Sequence, residues 1–146
     1  MEPDLTRFVD AQAGDYAQAL TEIKHGRKRS HWMWYVFPQL NGLGFSEMAR
    51  FYGIRDVQEA TDYLAHPVLG PRLIAISKAL VALKTQSASQ VMGSPDDLKL
   101  RSSMTLFSRV AGVDSIPDGQ VFQAVLDKFF DGEPDPKTVA MLAGRG

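Results

Sequence analysis

The residues best suited to bind a ligand lie in the segment KLRSSMTLF, where cationic and hydroxyl side chains alternate with apolar ones. Lys99, Arg101, Ser102, Ser103 and Thr105 fall within seven residues of one another. Cations together with several hydroxyl donors suit the oxygen atoms of a phosphate or a carboxylate, because they supply both charge and hydrogen bonds. The segment also fits a plain helix, in which the lysine extends to solvent and a serine bonds to the carbonyl four residues before it. The sequence leaves both interpretations open.

A stretch of basic and aromatic residues, KHGRKRSHWMWYVFPQ, is the second candidate. Its cations could contact phosphate while Trp32 or Trp34 stacks on a base, which is how many proteins hold a nucleotide or a single-stranded nucleic acid. The same pattern also fits a solvated loop followed by a buried aromatic wall. The cations follow one another without an intervening acid and are Lys24, Arg27, Lys28 and Arg29.

Gln12 is a polar residue that lies on the apolar face of the predicted first helix. At about 100° per residue, it falls in the middle of a stripe that contains Phe8, Val9 and Tyr16. A buried side-chain amide without partners costs about 1–3 kcal/mol, so Gln12 must find some. It either ties down the backbone of a neighbouring loop or lines a ligand pocket with Tyr16 beside it.

Catalytic and metal-binding templates fit the chain poorly. The three histidines, His25, His31 and His66, are far apart and lack an acidic partner at ligand spacing, so we expect neither a metal site nor a cofactor. A nucleophile elbow, a P-loop and a dinucleotide-binding glycine pattern are also missing from the sequence. If the protein is an enzyme, His31 is the predicted proton carrier, because imidazole titrates near neutrality.

Helices must position these groups. Gly, Pro and capping residues divide the sequence into short segments, and within each segment the apolar residues recur every three or four positions, as in an α-helix. The first helix is predicted from just after Asp4 to about Ile23, and seven or eight helices are predicted in all. Residues 31–39 stay undecided between a strand and a short helix that Ser30 caps and Pro38 closes. The other predicted helix starts are at Ser46, Asp56, Pro71, Ser87, Ser94, Asp118 and Asp135.

Composition predicts one all-α domain over residues 1–146. The chain has 146 residues, 45% of them apolar, and no run of alternating apolar residues that would support a sheet. Sixteen basic and seventeen acidic residues leave a net charge of −1, so no overall field attracts nucleic acid or an anionic membrane. The lack of cysteine excludes disulfides and thiolate metal sites. With no long apolar run, we expect a cytoplasmic protein that does not span a membrane.

Four segments, RFVDAQ, GRKRSHWMWYVFPQLNGLG, EATDYLAHPVLGPRL and PDDLKLRSSMTLF, closely resemble the domain of unknown function family numbered 1810, a family of small bacterial proteins. The resemblance covers nearly the whole chain and implies a mainly helical fold, but no activity. The calpastatin label sometimes given to this family does not fit, since the chain lacks the disordered, proline-rich composition of such an inhibitor. The order of motifs is also faintly similar to proteins proposed to act on NAD-derived or ADP-ribosylated compounds. The positions that match the family pattern are Gln12, His31, Trp32, Trp34, Gln39, His66, Arg72, Lys99, Ser102, Ser103 and Thr105.

Taken together, these features predict a pocket for a small anionic metabolite, with a nucleotide or an ADP-ribose derivative as the specific expectation. In this hypothesis Lys99 and Arg72 hold oxyanions, and the hydroxyl groups of residues 102, 103 and 105 donate hydrogen bonds. Gln12, Tyr16 and the segment 31–35 would complete the pocket. The alternative is a helical binding module whose basic residues 24–29 contact nucleic acid or an acidic protein, while the inward polar groups only fix the core. An oligomer formed through an exposed apolar face is also open.

Overall fold

The chain forms a succession of helices, as predicted from apolar residues that recur every three or four positions. The computed structural model describes residues 4–114 and 116–145, but not the side chains of residues 112–114 and 145. Within these residues it has helices and no strand, so the all-α prediction is confirmed. The helices are α1 (Thr6–Lys24), α2 (Met33–Val36), α3 (Glu47–Phe51), α4 (Val57–Ala65), α5 (Leu69–Val81), α6 (Ala88–Met92), α7 (Asp96–Asp114), α8 (Val121–Phe130) and α9 (Pro136–Arg145).

Three helix starts are capped as their sequences predicted. The side chains of Ser46, Asp56 and Ser87 each accept a hydrogen bond from the backbone N–H three residues further on, at the starts of α3, α4 and α6. Each bond satisfies one of the N–H groups that the first turn of a helix leaves unpaired.

Two helix starts differ from prediction. Helix α5 begins at Leu69, two residues before the predicted Pro71, because Nδ1 of His66 accepts hydrogen bonds from the N–H groups of Val68 and Leu69 at 3.1 and 3.2 Å. Helix α8 begins at Val121 rather than beside Asp118, whose backbone is left-handed with φ 63°. Both starts depend on local contacts that residue types alone do not specify.

The undecided segment 31–39 forms only one turn of helix. Helix α2 covers four residues and has no side-chain cap, and the hydroxyl of Ser30 donates to Glu22 instead. After Pro38, the backbone forms an isolated parallel bridge in which the N–H of Ile54 donates to the carbonyl of Gln39 at 2.9 Å. This bridge fixes the backbone from which the Gln39 side chain projects.

Helix α7 lies at the centre of the bundle and packs against α4, α6, α8 and α9. Its Phe107 contacts Tyr63 of α4 and Phe122 of α8, with ring centroids 5.3 and 5.9 Å apart. All three rings are fully buried. Because α7 is held on several sides, the polar residues in its first half have fixed positions relative to the neighbouring helices.

Among the described residues, no single helix is both long and apolar enough to cross a membrane. Helices α4 and α5 taken together meet the same length and composition test, but the chain bends by 86° between them.

Candidate functional site

An open groove lies between the first half of α7 and the start of α9. It has a volume of about 490 Å³ and is lined by three cations, Lys99 and Arg101 of α7 and Lys137 of α9. The remaining lining residues are Gln39, Leu43, Gly44, Pro95, Leu98, Ser102, Asp135 and Pro136. We call this hollow the cationic groove.

Arg101 is oriented towards α9 by a hydrogen bond from its Nε to the carbonyl of Glu133 at 2.9 Å. Its guanidinium also lies 6.0 Å from the ring centroid of Phe130. Within the described part of the chain, this bond leaves the two Nη groups uncommitted. They are the atoms with which arginine binds a phosphate or a carboxylate in two places.

The two lysines of the cationic groove are held less tightly. The ammonium of Lys99 lies 5.5 Å from the ring centroid of Trp34 and 3.5 Å from a carboxylate oxygen of Asp96. Asp96 also pairs with Lys28 at 2.9 Å, so its charge is shared between two cations. Lys137 is exposed in the first turn of α9.

The hydroxyls of α7 mainly serve to attach α9. The hydroxyl of Ser102 lies 3.1 Å from Oδ2 of Asp135, which also accepts from the N–H and the hydroxyl of Thr138. The hydroxyl of Thr105, fully buried, donates to the carbonyl of Arg101 and accepts from the N–H of Asp135. Asp135 is the one carboxylate in the lining, against three cations, and Asp96 just outside the lining is shared between Lys99 and Lys28.

Two buried polar atoms near this site have no hydrogen-bond partner among the described residues. One is the hydroxyl of Ser103, which is fully buried in α7, and the other is Oε1 of Gln39, a residue whose other atoms line the groove. The predicted bond to the carbonyl four residues before is made by Ser102, to Leu98 at 3.2 Å, but not by Ser103. A buried acceptor without a donor is uncommon, because leaving it unpaired costs about 1–3 kcal/mol.

A second, smaller cavity adjoins the cationic groove and shares Gln39, Gly44 and Lys99 with it. Its volume is about 20 Å³, and we call it the Trp34 slot. A hollow of this size holds about one water-sized group, so it does not have room for a ring stacked on Trp34. Its remaining lining residues are Met33, Phe37, Ala49, Tyr52 and Gly53.

Two glycines of the Trp34 slot lining pack too closely against their neighbours to carry a side chain. A Cβ atom on Gly44 would lie 2.7 Å from Cβ of Ala49, and one on Gly53 would lie 2.7 Å from Cα of Asn41. Both distances are shorter than van der Waals contact, so a side chain at either position would displace the backbone that covers the slot.

Gln12 and Tyr16 lie in a different polar cluster, together with Arg72. Gln12 is buried, and its Nε2 donates to the carbonyl of Tyr35 at 2.7 Å and to the hydroxyl of Tyr63 at 2.9 Å. Its Oε1 accepts from Arg72 at 3.4 Å, and the hydroxyl of Tyr16 donates to the carbonyl of Arg72. Burial raises the pKa of the Tyr16 hydroxyl to about 12, with the Arg72 guanidinium opposing the increase. Gln12, Tyr16 and Arg72 were all predicted to form the ligand pocket, but none of them lines the cationic groove.

Trp32 is buried against a carboxylate rather than exposed for stacking. Its Nε1 donates to Glu22 at 2.9 Å, and Glu22 also accepts from Gln18, from the N–H of Arg29 and from both the N–H and the hydroxyl of Ser30. Burial alone would raise the pKa of Glu22, but these hydrogen bonds outweigh it and lower the pKa to about 2. We call this arrangement the Glu22 cluster.

His31 and the cations of the basic loop are not among the residues that line the cationic groove. The side chain of His31 is exposed and is not part of the groove lining, so the structure does not bring the predicted proton carrier to the other candidates. Lys28 is largely buried and paired with Asp96. Lys24, Arg27 and Arg29 are exposed, but the neighbouring Trp32 ring is buried and offers no surface for a base.

The predicted site residues therefore divide into separate groups instead of sharing one hollow. Lys99, Ser102 and Gln39 line the cationic groove, and Trp34 lies in the slot beside it. Sequence reasoning missed Lys137 as a site residue. The predicted start of a helix at Asp135 placed a lysine in its first turn, but only the packing of α9 on α7 shows that this lysine faces Arg101 across a groove.

Comparison with known proteins establishes the family. A family model described as a protein of unknown function, DUF1810, matches residues 2–142. The chain belongs to the DUF1810 family. The resemblance seen in the sequence is thereby confirmed.

A solved structure supports the DUF1810 fold. The crystal structure of the conserved hypothetical protein Rv1873 from Mycobacterium tuberculosis is similar to this chain, with 48% sequence identity, a TM-score of 0.90 and 96% of each chain covered. No curated protein matches the chain. The DUF1810 family therefore indicates the fold of this chain but does not assign an activity. Evidence for function has to come from the site itself.

Proposed function

We propose that the cationic groove binds a small anionic ligand through Lys99, Arg101 and Lys137. The observation that carries the proposal is the convergence of these three cations, from two helices, on one hollow with a single carboxylate in its lining. Like charges brought together repel one another and oppose folding. An anion in the groove removes this repulsion and gains charge-assisted hydrogen bonds.

The groove suits a ligand of nucleotide size. Its volume of about 490 Å³ falls within the range of about 300–1,000 Å³ that is usual for small-molecule pockets. Phosphate oxygens suit Arg101, whose planar guanidinium can bind them in two places. The apolar side chains of Leu43 and Leu98 lie in the same lining, and Leu98 is 58% exposed, so they offer a surface for the uncharged part of the ligand.

A nucleotide or an ADP-ribose derivative is the finer form of this proposal. Such a ligand has phosphates for the cations and a flat apolar ring for the leucine surface. In this form the ring lies against Leu98 rather than against Trp32 or Trp34, because Trp32 is buried and the Trp34 slot is too small for a ring.

Thermal shift tests the proposal, because a ligand that binds only the folded protein raises its melting temperature. The compounds to compare are AMP, ADP, ribose 5-phosphate and ADP-ribose, at constant ionic strength. We expect at least one to raise the melting temperature of the wild type and to lose this effect in Lys99→Ala. Lys24→Ala, which removes an exposed cation outside the groove, is the matched control and should keep the shift. A shift that Lys99→Ala retains and Lys24→Ala loses would contradict the proposal.

Contact between the basic loop and nucleic acid is the second candidate, supported by the exposure of Lys24, Arg27 and Arg29. Binding of this kind weakens steeply as salt is added, because it releases counterions from the nucleic acid. Titration of a fluorescent single-stranded oligonucleotide at several salt concentrations measures how steeply its affinity falls with salt. Oligonucleotide binding that weakens with salt, and that is lost when all three cations are replaced by alanine, would favour nucleic-acid binding over anion binding in the groove.

A further inference from the structure

Helix α3 lies on the surface and is the one described helix without a buried residue. Three large apolar side chains on it or just before it are exposed: Phe45, Met48 and Phe51, with exposed fractions of 77%, 39% and 48%. They are three of the five large apolar side chains that are exposed among the described residues. Since an aromatic side chain offers about 150–250 Å², the three together expose about 300 Å², a size at which apolar patches often mark an interaction site. We call these three residues the α3 patch.

Buried contacts hold α3 in place although it buries no residue of its own. Nε of Arg7 donates to the carbonyl of Phe51 at 2.7 Å, and Nη2 of Arg7 donates to the carbonyl of Gly53 at 3.0 Å. Arg7 is buried and forms an ion pair with Glu59 at 3.1 Å. At the other end, the hydroxyl of Ser46 caps the helix. The α3 patch is therefore a fixed surface, and its exposure does not result from fraying of a short helix.

Two charges of opposite sign flank the α3 patch symmetrically. The side chains of Glu47 and Arg50 are exposed, and neither is in an ion pair with another described residue. At a rise of about 1.5 Å per residue, they lie about 4.5 Å apart along the helix axis, with their midpoint between Met48 and Ala49. The three apolar residues of the patch recur at every third position and are centred on Met48. The midpoints of the charges and of the patch therefore nearly coincide.

A two-fold axis through this common midpoint makes the surface complementary to itself. Two copies of α3 packed antiparallel across the axis place Glu47 of one copy level with Arg50 of the other, and this pair occurs twice. Phe45 of each copy then lies near Phe51 of the other, and the two Met48 side chains meet close to the axis. A contact in which both copies use the same patch is the usual form of a homodimer interface.

We propose that the α3 patch is the interface of a two-fold symmetric homodimer. The charges favour a second copy over a different partner, because Glu47 and Arg50 each find their complement on an identical surface. A patch flanked by charges of one sign would instead favour an oppositely charged molecule. None of the three apolar residues of the patch lines the cationic groove, so this inference does not depend on anion binding there.

The size of the α3 patch predicts a weak dimer. A stable interface buries about 800 Å² on each partner, whereas the apolar side chains of the patch supply about 300 Å². The two charged pairs lie at the rim, where they direct the orientation of the copies more than they add affinity. We therefore expect a dissociation constant of about 100 µM, with monomers prevailing in dilute solution and dimers in concentrated solution.

Sedimentation equilibrium at protein concentrations from about 10 µM to about 1 mM tests the interface. The average mass of the wild type should rise from that of a monomer towards that of a dimer. Met48→Asp, which puts a charge at the centre of the patch, should weaken association by about tenfold or more. Val68→Asp is the matched control and should associate like the wild type, because Val68 is similarly exposed, at 36%, but lies outside the patch.

Exchange of the two charges distinguishes this arrangement from non-specific apolar association. Glu47→Arg and Arg50→Glu each place like charges opposite one another at both ends of the contact, so each variant alone should associate about fivefold more weakly than the wild type. In an equimolar mixture of the two variants, the arginines of one copy face the glutamates of the other, and mixed dimers should regain the wild-type affinity. The double variant Glu47→Arg with Arg50→Glu restores both pairs within one chain and should regain it as well.

Each result supports the homodimer or overturns it. A wild type that stays monomeric up to about 1 mM would overturn it and leave the α3 patch to a different partner or to none. Dimers that Met48→Asp leaves unchanged would place the interface elsewhere on the molecule. A mixture of the charge variants that associates no more tightly than either variant alone would overturn the antiparallel arrangement. Should Met48→Asp not fold, the charge variants change only exposed side chains and decide the question alone.

Discussion

The Glu22 cluster and the cationic groove are both polar regions of a small helical protein, but their charges are arranged in opposite ways. In the Glu22 cluster, five hydrogen bonds from residues 18, 29, 30 and 32 converge on one carboxylate. In the cationic groove, three cations of like charge line a common space with one carboxylate. In the first region each of these groups is paired within the protein, whereas in the second the cations outnumber the carboxylates and Lys137 is exposed.

This difference separates polar groups that stabilise the fold from the groups that we propose bind a ligand. A satisfied cluster stabilises the fold, and losing one member leaves the others unpaired. A region in which like charges outnumber their partners contributes little to stability or opposes it. Each region should therefore respond in its own way to substitution, with stability changing in the first and ligand affinity in the second.

Glu22→Ala should have the largest effect on stability. The indole N–H of Trp32, which is 1% exposed, and the backbone N–H groups of Arg29 and Ser30 would all lose their acceptor. We expect a loss of about 3–5 kcal/mol in the free energy of unfolding, measured by urea denaturation. Glu47→Ala, which removes an exposed glutamate at the start of α3, is the control and should cost about 0.5 kcal/mol. An equal loss in the two variants would show that the Glu22 cluster is not structural.

Acid should weaken the same cluster. Because the pKa of Glu22 is about 2 in the folded protein and near 4.5 when the chain is unfolded, its carboxylate stabilises the fold fully above pH 4.5. This contribution is lost as the pH falls from 4.5 towards 2, and it amounts to about 3 kcal/mol.

Urea denaturation of the wild type and of Glu22→Gln between pH 6 and pH 2 measures this contribution. The variant should lose about 3 kcal/mol less over that interval than the wild type, since its amide does not titrate. Parallel pH profiles would mean that the charge of Glu22 does not stabilise the fold.

Gln12→Leu should have an intermediate effect. It removes the donor to the carbonyl of Tyr35 and to the hydroxyl of Tyr63, which is fully buried. We expect a loss of about 2 kcal/mol in urea denaturation. Gln123→Leu, on the exposed face of α8, should change stability by about 0.5 kcal/mol or less. If Gln12→Leu abolished ligand binding while leaving stability unchanged, Gln12 would belong with the binding residues instead.

The groove cations should have the smallest effect on stability. In the absence of ligand, the double variant Lys99→Met with Lys137→Met should stay within about 0.5 kcal/mol of the wild type, because it removes both a partly exposed ion pair between Lys99 and Asp96 and the repulsion between the groove cations. Urea denaturation at two ionic strengths checks this. A loss of about 2 kcal/mol or more would make these lysines structural and remove the contrast between the two regions.

Much of the fold could be predicted from local sequence, and the site only in part. The caps at Ser46, Asp56 and Ser87 act within a few residues, so their patterns specify helix starts. Periodicity also predicted that Gln12 and Ser103 turn inward, and both are buried. It could not predict which groups they would meet there, because those partners come from distant parts of the chain.

Contacts between distant parts of the chain also explain why the residues of the predicted pocket lie in separate places. Trp32 has the composition of a stacking residue, but Glu22, ten residues earlier in the chain, accepts its indole N–H and keeps the ring in the core. Lys137 looked unremarkable because its role depends on the packing of α9 against α7. Residue types therefore predicted the chemistry of Lys99 and Ser102, whereas tertiary packing decided which residues share the groove with them.

Amide chemical shifts recorded during a titration with ADP-ribose show whether the cationic groove binds an anion. We expect saturable shift changes centred on residues 98–102 and 136–138, which disappear in the double variant Lys99→Met with Lys137→Met. Changes confined to residues 24–29, or no change at any concentration of ligand, would contradict it.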